Sequence, residues 1–236
     1  MWKRVDLINP AILLELLSPL VAFGYYPPSL KTANGVVLDK PGKASYDSPA
    51  PFRIIVLLKT IIKILERVMT GRLSAIARSR GLLHPNQCGS LPGLSSSNAS
   101  LPLMHKVKTL QRLRVEVSTL FLDIKAGFDD VNASTLRARL LASHVPSYMV
   151  DWVSSFLSER TCTPVFQGSP NISSPVSVGT PQGSPISLLH FLLYVAPLHK
   201  SVPRGLMVSY VDDFSIMWPP PPTEATYAAY KVYSPP

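Results

Sequence analysis

Only two cysteines occur in the 236 residues, Cys88 and Cys162, which excludes a disulfide-stapled scaffold. The five histidines, at 84, 105, 144, 190 and 199, show no paired ligand spacing, so no zinc site is expected. Charged residues are scarce, at 16% against a usual ~25%. With 46% hydrophobic residues and a mean hydropathy of +0.20, the chain falls outside the disordered class and can build a sizeable core. Long apolar runs are also missing. The stretch 11–23 is interrupted by Glu15 and Pro19, and 188–198 is too short to cross ~30 Å of hydrocarbon, so no membrane partner is expected. Lys3-Arg4 before an apolar stretch imitates a secretion signal, but Asp6 and Glu15 spoil it; the expected location is intracellular, not secreted.

Proline and positive charge are in excess. The 24 prolines are about twice an average share of ~5%, and many fall between apolar segments, where they break helices and stiffen loops. Net charge is +9 and the isoelectric point about 9.7. Residues 1–115 hold 16 Lys/Arg against 5 Asp/Glu, whereas residues 116–236 hold 7 against 9. A basic half joined to a slightly acidic half suits a polyanion gripped by one part and processed by the other; the plain alternative is a generic basic surface.

Periodicity gives a mixed α+β reading. Residues 11–23, 101–113, 133–142, 147–157 and about 186–198 read as helices, with Asn132 as an N-cap. Ile54, Leu57, Leu58, Ile61, Ile62, Leu65 and Val68 also follow helical spacing, with Lys59, Lys63 and Arg67 on the opposite face. Strands are expected at 35–38, 161–166 and 175–178, and at 117–124 as a buried strand. Residues 206–211 and 214–218 read as a hairpin with Asp212-Asp213 at its tip. The tail from Pro219 reads as irregular.

Three carboxylates interrupt apolar strands: Asp123 after Thr119-Leu-Phe-Leu122, and the adjacent pair Asp212 and Asp213. Buried together they would repel, and a cation is the simplest compensation. Mg²⁺ favours carboxylates plus substrate phosphates, and a metal pair ~3.5–4 Å apart clamps an in-line phosphoryl displacement. Asp123 and Asp212, 89 positions apart, could share such a site if their strands pair. The alternative is ordinary turn chemistry for Asp-Asp and a capping role for Asp123.

These residues carry a resemblance. Phe121-Leu-Asp-Ile-Lys-Ala-Gly-Phe-Asp-Asp-Val131 resembles motif A of reverse transcriptases in the style of non-LTR (LINE-like) retrotransposons; Gly179-Thr-Pro-Gln-Gly-Ser-Pro-Ile-Ser187 resembles motif B; and Ser209-Tyr-Val-Asp-Asp-Phe214 resembles the Tyr-x-Asp-Asp box of motif C. Upstream, Lys40-Pro-Gly-Lys43 with Phe52-Arg-Ile-Ile-Val-Leu-Leu58 is similar to the family's fingers motif, and Asn86-Gln-Cys-Gly-Ser-Leu-Pro-Gly93 to the following fingers block. The blocks keep the family's order and cover about residues 20–218.

The resemblance implies an α+β fold, the fingers (1–115) and palm (116–218) of a right-hand polymerase with a ferredoxin-like antiparallel palm sheet backed by helices. Residues 219–236 are left as a proline-rich tail and the thumb is missing. It implies an RNA-directed DNA polymerase that uses an RNA template, a DNA primer and dNTP, with two Mg²⁺ ions for which Mn²⁺ could substitute. A nuclear location follows if the chain is part of a retrotransposon. Asp123 and Asp212 would be metal ligands, with Asp213 beside them at the catalytic centre. Arg53 and one of Lys40 or Lys43 would neutralise the triphosphate. Phe128 would be the aromatic gate under the sugar that leaves no room for a 2′-hydroxyl, and Gln182 and Gly183 would border nucleotide and template. Departures are Leu91 and Leu94 where the family has arginines, Leu188 where it has proline, His190 in an apolar helix, and a chain that stops soon after motif C. Alternatives are a catalytically silent nucleic-acid-binding remnant, an intron-encoded reverse transcriptase, or an RNA-dependent RNA polymerase palm.

Overall fold

A computed structural model describes residues 10–49, 51–89, 95–202 and 206–218. Leu91, Leu94 and the tail from Pro219 lie outside the described residues. The chain folds as two compact units, each discontinuous in sequence. The first joins the chain up to Arg80 with Phe128–Tyr194; the second joins Gly81–Gly127 with the chain from Val195 onward.

In the first unit, helix α1 (Pro10–Ala22) leads through a short 3-10 turn to strands β1 (Thr32–Asp39) and β2 (Phe52–Leu57). These pair antiparallel, with Leu38 opposite Arg53 and Gly35 opposite Val56. Here the structure corrects the sequence reading, because residues 52–57 are strand and helix α2 runs only from Ile62 to Ser79. The apolar run Ile54–Leu58 fits either period. Its β-branched residues and the six paired positions along β1 decide for strand. Lys59 therefore precedes the helix and shares no helical stripe with Lys63 and Arg67.

Helices α4 (Ala133–Ala142), α5 (Ser147–Leu157) and α6 (Ser187–Val195) complete this unit with β5 (Arg160–Phe166), β6 (Ser169–Pro170) and β7 (Ser174–Val176). β5 lies parallel to β1 and antiparallel to β6 and β7. Asn132 caps α4 as expected, its Oδ1 accepting from the Thr135 N–H at 2.9 Å. The core is aromatic at its centre. Tyr26 meets Trp152 and Phe156 edge-on at 5.6 and 5.1 Å, and the latter two rings stack. Ile62, Leu65, Met69, Leu73, Leu136 and Met149 are buried in the same unit.

The second unit is a sheet of β3 (Gln87–Cys88), β8 (Leu206–Tyr210), β9 (Asp213–Trp218) and β4 (Ser118–Asp123), in the order β3-β8-β9-β4, with helix α3 (Ser96–Arg112). β8, β9 and β4 are antiparallel, and β3 joins parallel to β8. Ala99 and Leu103 of α3 pack against Cys88, Val208 and Leu206. α3 starts earlier than the expected Leu101, because Asn98 Oδ1 accepts from the Ser95 N–H at 2.7 Å and closes its first turn. A second correction concerns β4. It is an edge strand rather than a buried one, with Leu120, Phe121 and Leu122 exposed at 46%, 70% and 44%. Among the described residues, no helix is long and apolar enough to cross a membrane.

Candidate active site

The acid-bearing blocks meet at one end of the second unit's sheet. β9 pairs with β8 on one side and β4 on the other, so Tyr210, Asp213 and Asp123 stand in register across three strands. Cross-strand partners share a face, which puts the Asp123 and Asp213 side chains on one side of the sheet. Asp212 sits in the two-residue turn, and its carbonyl accepts from the Ile124 N–H at 3.2 Å. Motifs A and C are thereby tied to each other by backbone.

Exposure here differs from the sequence reading. Asp123 and Asp213 are exposed and Asp212 is half-buried, so burial cost is not what demands a cation. The strands run out of covering elements at this end, and water solvates the carboxylates. The donor set is all oxygen, which fits a hard divalent ion that keeps substrate phosphates and water among its ligands. Among the described residues, no group of three His, Cys, Asp or Glu side chains is arranged as a complete metal cage.

The hairpin tip is strained. Val211 has φ +57°, a conformation that costs a β-branched residue roughly 1–2 kcal/mol. The Asn86–Gly89 block braces it. Asn86 O accepts from the Ser209 N–H at 3.0 Å, and Cys88 O accepts from the Val211 N–H at 3.1 Å. A Cβ on Gly89 would stand 2.7 Å from Val211 Cγ2, so only glycine leaves room for the valine. Behind the hairpin, His199 Nε2 lies 2.9 Å from Ser209 Oγ and the His199 ring stacks on His84. Burial and the neighbouring His84 hold His199 down at about 4, so it is neutral at physiological pH.

The other sequence candidates belong to the first unit. Motif A contributes to both units, since Asp123 lies in the second and Phe128 in the first. Phe128 is half-buried, its ring 5.2 Å from Phe191, and its carbonyl accepts from the Thr180 N–H at 2.7 Å. Gln182 O accepts from the Val56 N–H at 2.7 Å, joining the motif B loop to the strand that bears Arg53. Gly183 has φ +129°, and a Cβ there would stand 2.5 Å from Val56 O, so its missing side chain admits the β2 backbone. Arg53 and Lys43 are exposed, and Lys40 is half-buried at the end of β1. Burial and Asp130 raise the Asp129 carboxyl pKa, while Lys40 lowers it, which sets Lys40 beside the end of motif A. Lys43 lies in the exposed turn after β1 and is tied to none of these contacts.

A family model described as reverse transcriptase (RNA-dependent DNA polymerase) matches residues 38–226. The chain belongs to the reverse transcriptase family. Among curated proteins it is 24% identical over 207 residues to the "Probable RNA-directed DNA polymerase from transposon X-element" of Drosophila melanogaster, covering 86% of this chain and 23% of that protein. It is 26% identical over 215 residues to the RNA-directed DNA polymerase from mobile element jockey of the same fly, again covering 86% and 23%. This reverse transcriptase domain thus spans about a quarter of the length of the relatives it matches, which are non-LTR, LINE-like elements. Among solved structures it resembles Candida tropicalis telomerase in complex with a fragment of telomeric RNA, with TM-score 0.57, 14% identity, and coverage of 96% of this chain and 42% of that one. The apo telomerase truncated from its C-terminal domain gives TM-score 0.53, also at 14% identity, and covers 95% and 51%. At that identity the likeness is one of fold, and the mixed α+β fold is that of polymerase fingers and palm.

Sequence reasoning missed several residues that build the motif B loop of this reverse transcriptase domain. Glu66 and Arg160 are buried at 0% and 7% exposure, and each bonds to that loop. Glu66 carried a legible signal, since it falls among Ile62, Leu65, Met69 and Leu73 on the apolar face of α2. Arg160, at the junction of α5 and β5, carried none.

Proposed function

We propose that this chain carries the nucleotidyl-transfer centre of a reverse transcriptase, adding deoxynucleotides from dNTP to a DNA primer on an RNA template, with 1–115 acting as fingers and 116–218 as palm. The observation that supports it most is the register of Asp123 with Asp213, and the Asp212 carbonyl bonded to the Ile124 N–H. Two blocks far apart in sequence thus deliver their acids to one end of one sheet.

The reaction needs little covalent work from the protein. The primer 3′-oxygen bonds to the α-phosphorus, the bond from that phosphorus to the bridging oxygen breaks, pyrophosphate leaves, and the hydroxyl proton passes to solvent. Asp123 and Asp212 are the residues that would hold Mg²⁺, with Asp213 adding negative charge beside them. Divalent ions bound there would activate the attacking hydroxyl and offset the charge of the leaving pyrophosphate. Arg53, Lys40 and Lys43 neutralise the triphosphate; Arg presents a planar fork and Lys a point charge. Phe128 sits under the sugar and favours deoxyribose by occupying the space of a 2′-hydroxyl. Gln182 and Gly183 border nucleotide and template. Template binding through phosphates makes the affinity fall with salt.

The test is primer extension by the purified chain on an RNA template with annealed DNA primer, dNTPs and Mg²⁺ at low salt. Extension that is abolished by Asp212→Ala is the expected result. Extension no greater than that of the Asp212→Ala control, or equal use of rNTP and dNTP, refutes the reading in its catalytic or its sugar-selecting part respectively.

A further inference from the structure

Three charged side chains are buried among the described residues of the first unit: Lys31, which pairs with Glu159, and Glu66 and Arg160. Arg160 is 7% exposed and Glu66 is fully buried, and neither forms an ion pair among the described residues. Charged groups are rarely fully buried without a partner, because lost hydration costs several kcal/mol per ion. What each charge touches is one loop, held from opposite ends. Arg160 Nη2 donates to the carbonyls of Val178 at 3.0 Å and Gly179 at 2.6 Å, and its Nε donates to Leu157 O at 3.2 Å. Glu66 Oε2 accepts from Ser184 Oγ at 2.6 Å, and Oε1 accepts from the Tyr26 hydroxyl at 3.3 Å.

Between these ends the loop is tied by its own backbone. Gly179 N–H donates to Val131 O, Thr180 N–H to Phe128 O, and Gln182 O accepts from Val56 N–H. Thr180 Oγ1 donates to Ser187 Oγ at 2.7 Å at the head of α6. The Gln182 carbonyl is thus fixed against β2.

We propose that Glu66 and Arg160 are positioning residues that clamp the Gly179–Ser184 loop at its two ends and thereby fix Gln182 and Gly183 for the incoming nucleotide; the last clause rests on the polymerase reading above. Burial raises the Glu66 pKa, while the Ser184 and Tyr26 hydroxyls, donating to the carboxylate, pull it back. Burial lowers the Arg160 pKa.

The test uses the full chain and two independent readouts. Amide hydrogen exchange of residues 179–187 is compared with that of α3 in the second unit in Glu66→Leu, Glu66→Gln, Arg160→Met, Arg160→Lys and Ser184→Ala. Glu66→Leu and Arg160→Met are expected to accelerate loop exchange about tenfold or more, the loss of at least one hydrogen bond to a charged group, with α3 unchanged. Glu66→Gln, which keeps an acceptor, restores most of the protection. Ser184→Ala loosens the same end as Glu66→Leu, and the double variant adds nothing further. In primer extension, Glu66→Leu raises KM for dNTP about tenfold and changes kcat less. If the unaltered chain extends no primer but the exchange pattern holds, the polymerase reading fails and the clamp stands. Unchanged loop exchange in Ser184→Ala and Arg160→Lys overturns the clamp, even where the Leu and Met variants fail to fold.

Discussion

Gly183→Ala is the sharpest single test of how the motif B loop is seated. At φ +129° the residue lies outside the conformations that L side chains adopt comfortably, and holding alanine there costs about 1–3 kcal/mol. The added Cβ would stand 2.5 Å from Val56 O. That oxygen is backbone and cannot swing aside, because Val56 is in register with Gly35 in the β1–β2 ladder. Relief therefore requires the loop to retreat, which stretches the 2.7 Å bond from Val56 N–H to Gln182 O and forfeits about 1 kcal/mol. Together the loss is roughly 2–4 kcal/mol. Urea unfolding of the full chain followed by circular dichroism reads it as a fall in midpoint on the order of 1 M or more. Gly71→Ala is the matched control: Gly71 lies inside α2 with open space around its Cβ, and the same substitution there should gain about 0.5–1 kcal/mol. A Gly183→Ala protein within about 0.5 kcal/mol of the original refutes the seating argument.

Acid should weaken the first unit through His190, which burial and the charge of Arg160 hold down at about 3. With the folded pKa below the unfolded value, its contribution is full above about 6.5 and is lost as pH falls toward 3, at up to about 1.4 kcal/mol per unit. Unfolding midpoints measured from pH 7 to pH 5 check this, and a His190→Phe protein that weakens as steeply rejects the assignment. Phe121→Ser on the exposed edge strand should change stability by less than about 0.5 kcal/mol, whereas Phe156→Ala in the aromatic core should cost about 3–5 kcal/mol; equal effects in thermal melts would contradict the exposure of β4. Asn132→Ala should cost about 1 kcal/mol by removing the cap of α4, read by the same melts, and a neutral result would deny the Thr135 bond its role.

What was legible in the sequence was local. The Asn132 cap, the helix over 147–157, and the hairpin around Asp212-Asp213 all follow from short-range chemistry, and all stand in the structure. What failed needed knowledge of neighbours. The run Ile54–Leu58 satisfies both periods, and only the β1 partner selects strand. The run 117–124 looked buried because it is apolar. Apolarity says nothing about whether a sheet continues past a given strand, and β4 is the last in its row. Glu66 stood out as an acid on the apolar face of α2, but its partner Ser184 lies 118 residues away, and Arg160, bonded to Gly179 19 residues on, carried no signal at all.

The acids were found in the sequence for a reason that the structure replaces. Carboxylates inside apolar strands would need a cation to offset their burial. Asp123 and Asp213 are exposed, so burial supplies no such need; the ladder sets Asp123 opposite Asp213, while Asp212, the partner expected for Asp123, lies in the turn and is tied to motif A through its carbonyl. The tight turn after Tyr210 sets Asp213 opposite Tyr210, and the β4 ladder sets Asp123 opposite Asp213. Sliding β9 along β4 by a single residue would turn its side chains to the other face, so a slip in that ladder would separate Asp213 from Asp123 without changing either. The left-handed Val211 is the strain that the short turn exacts, and the Asn86–Gly89 brace holds it in place. The register of β9 on β4 is therefore as much a part of the candidate site as the carboxylates themselves.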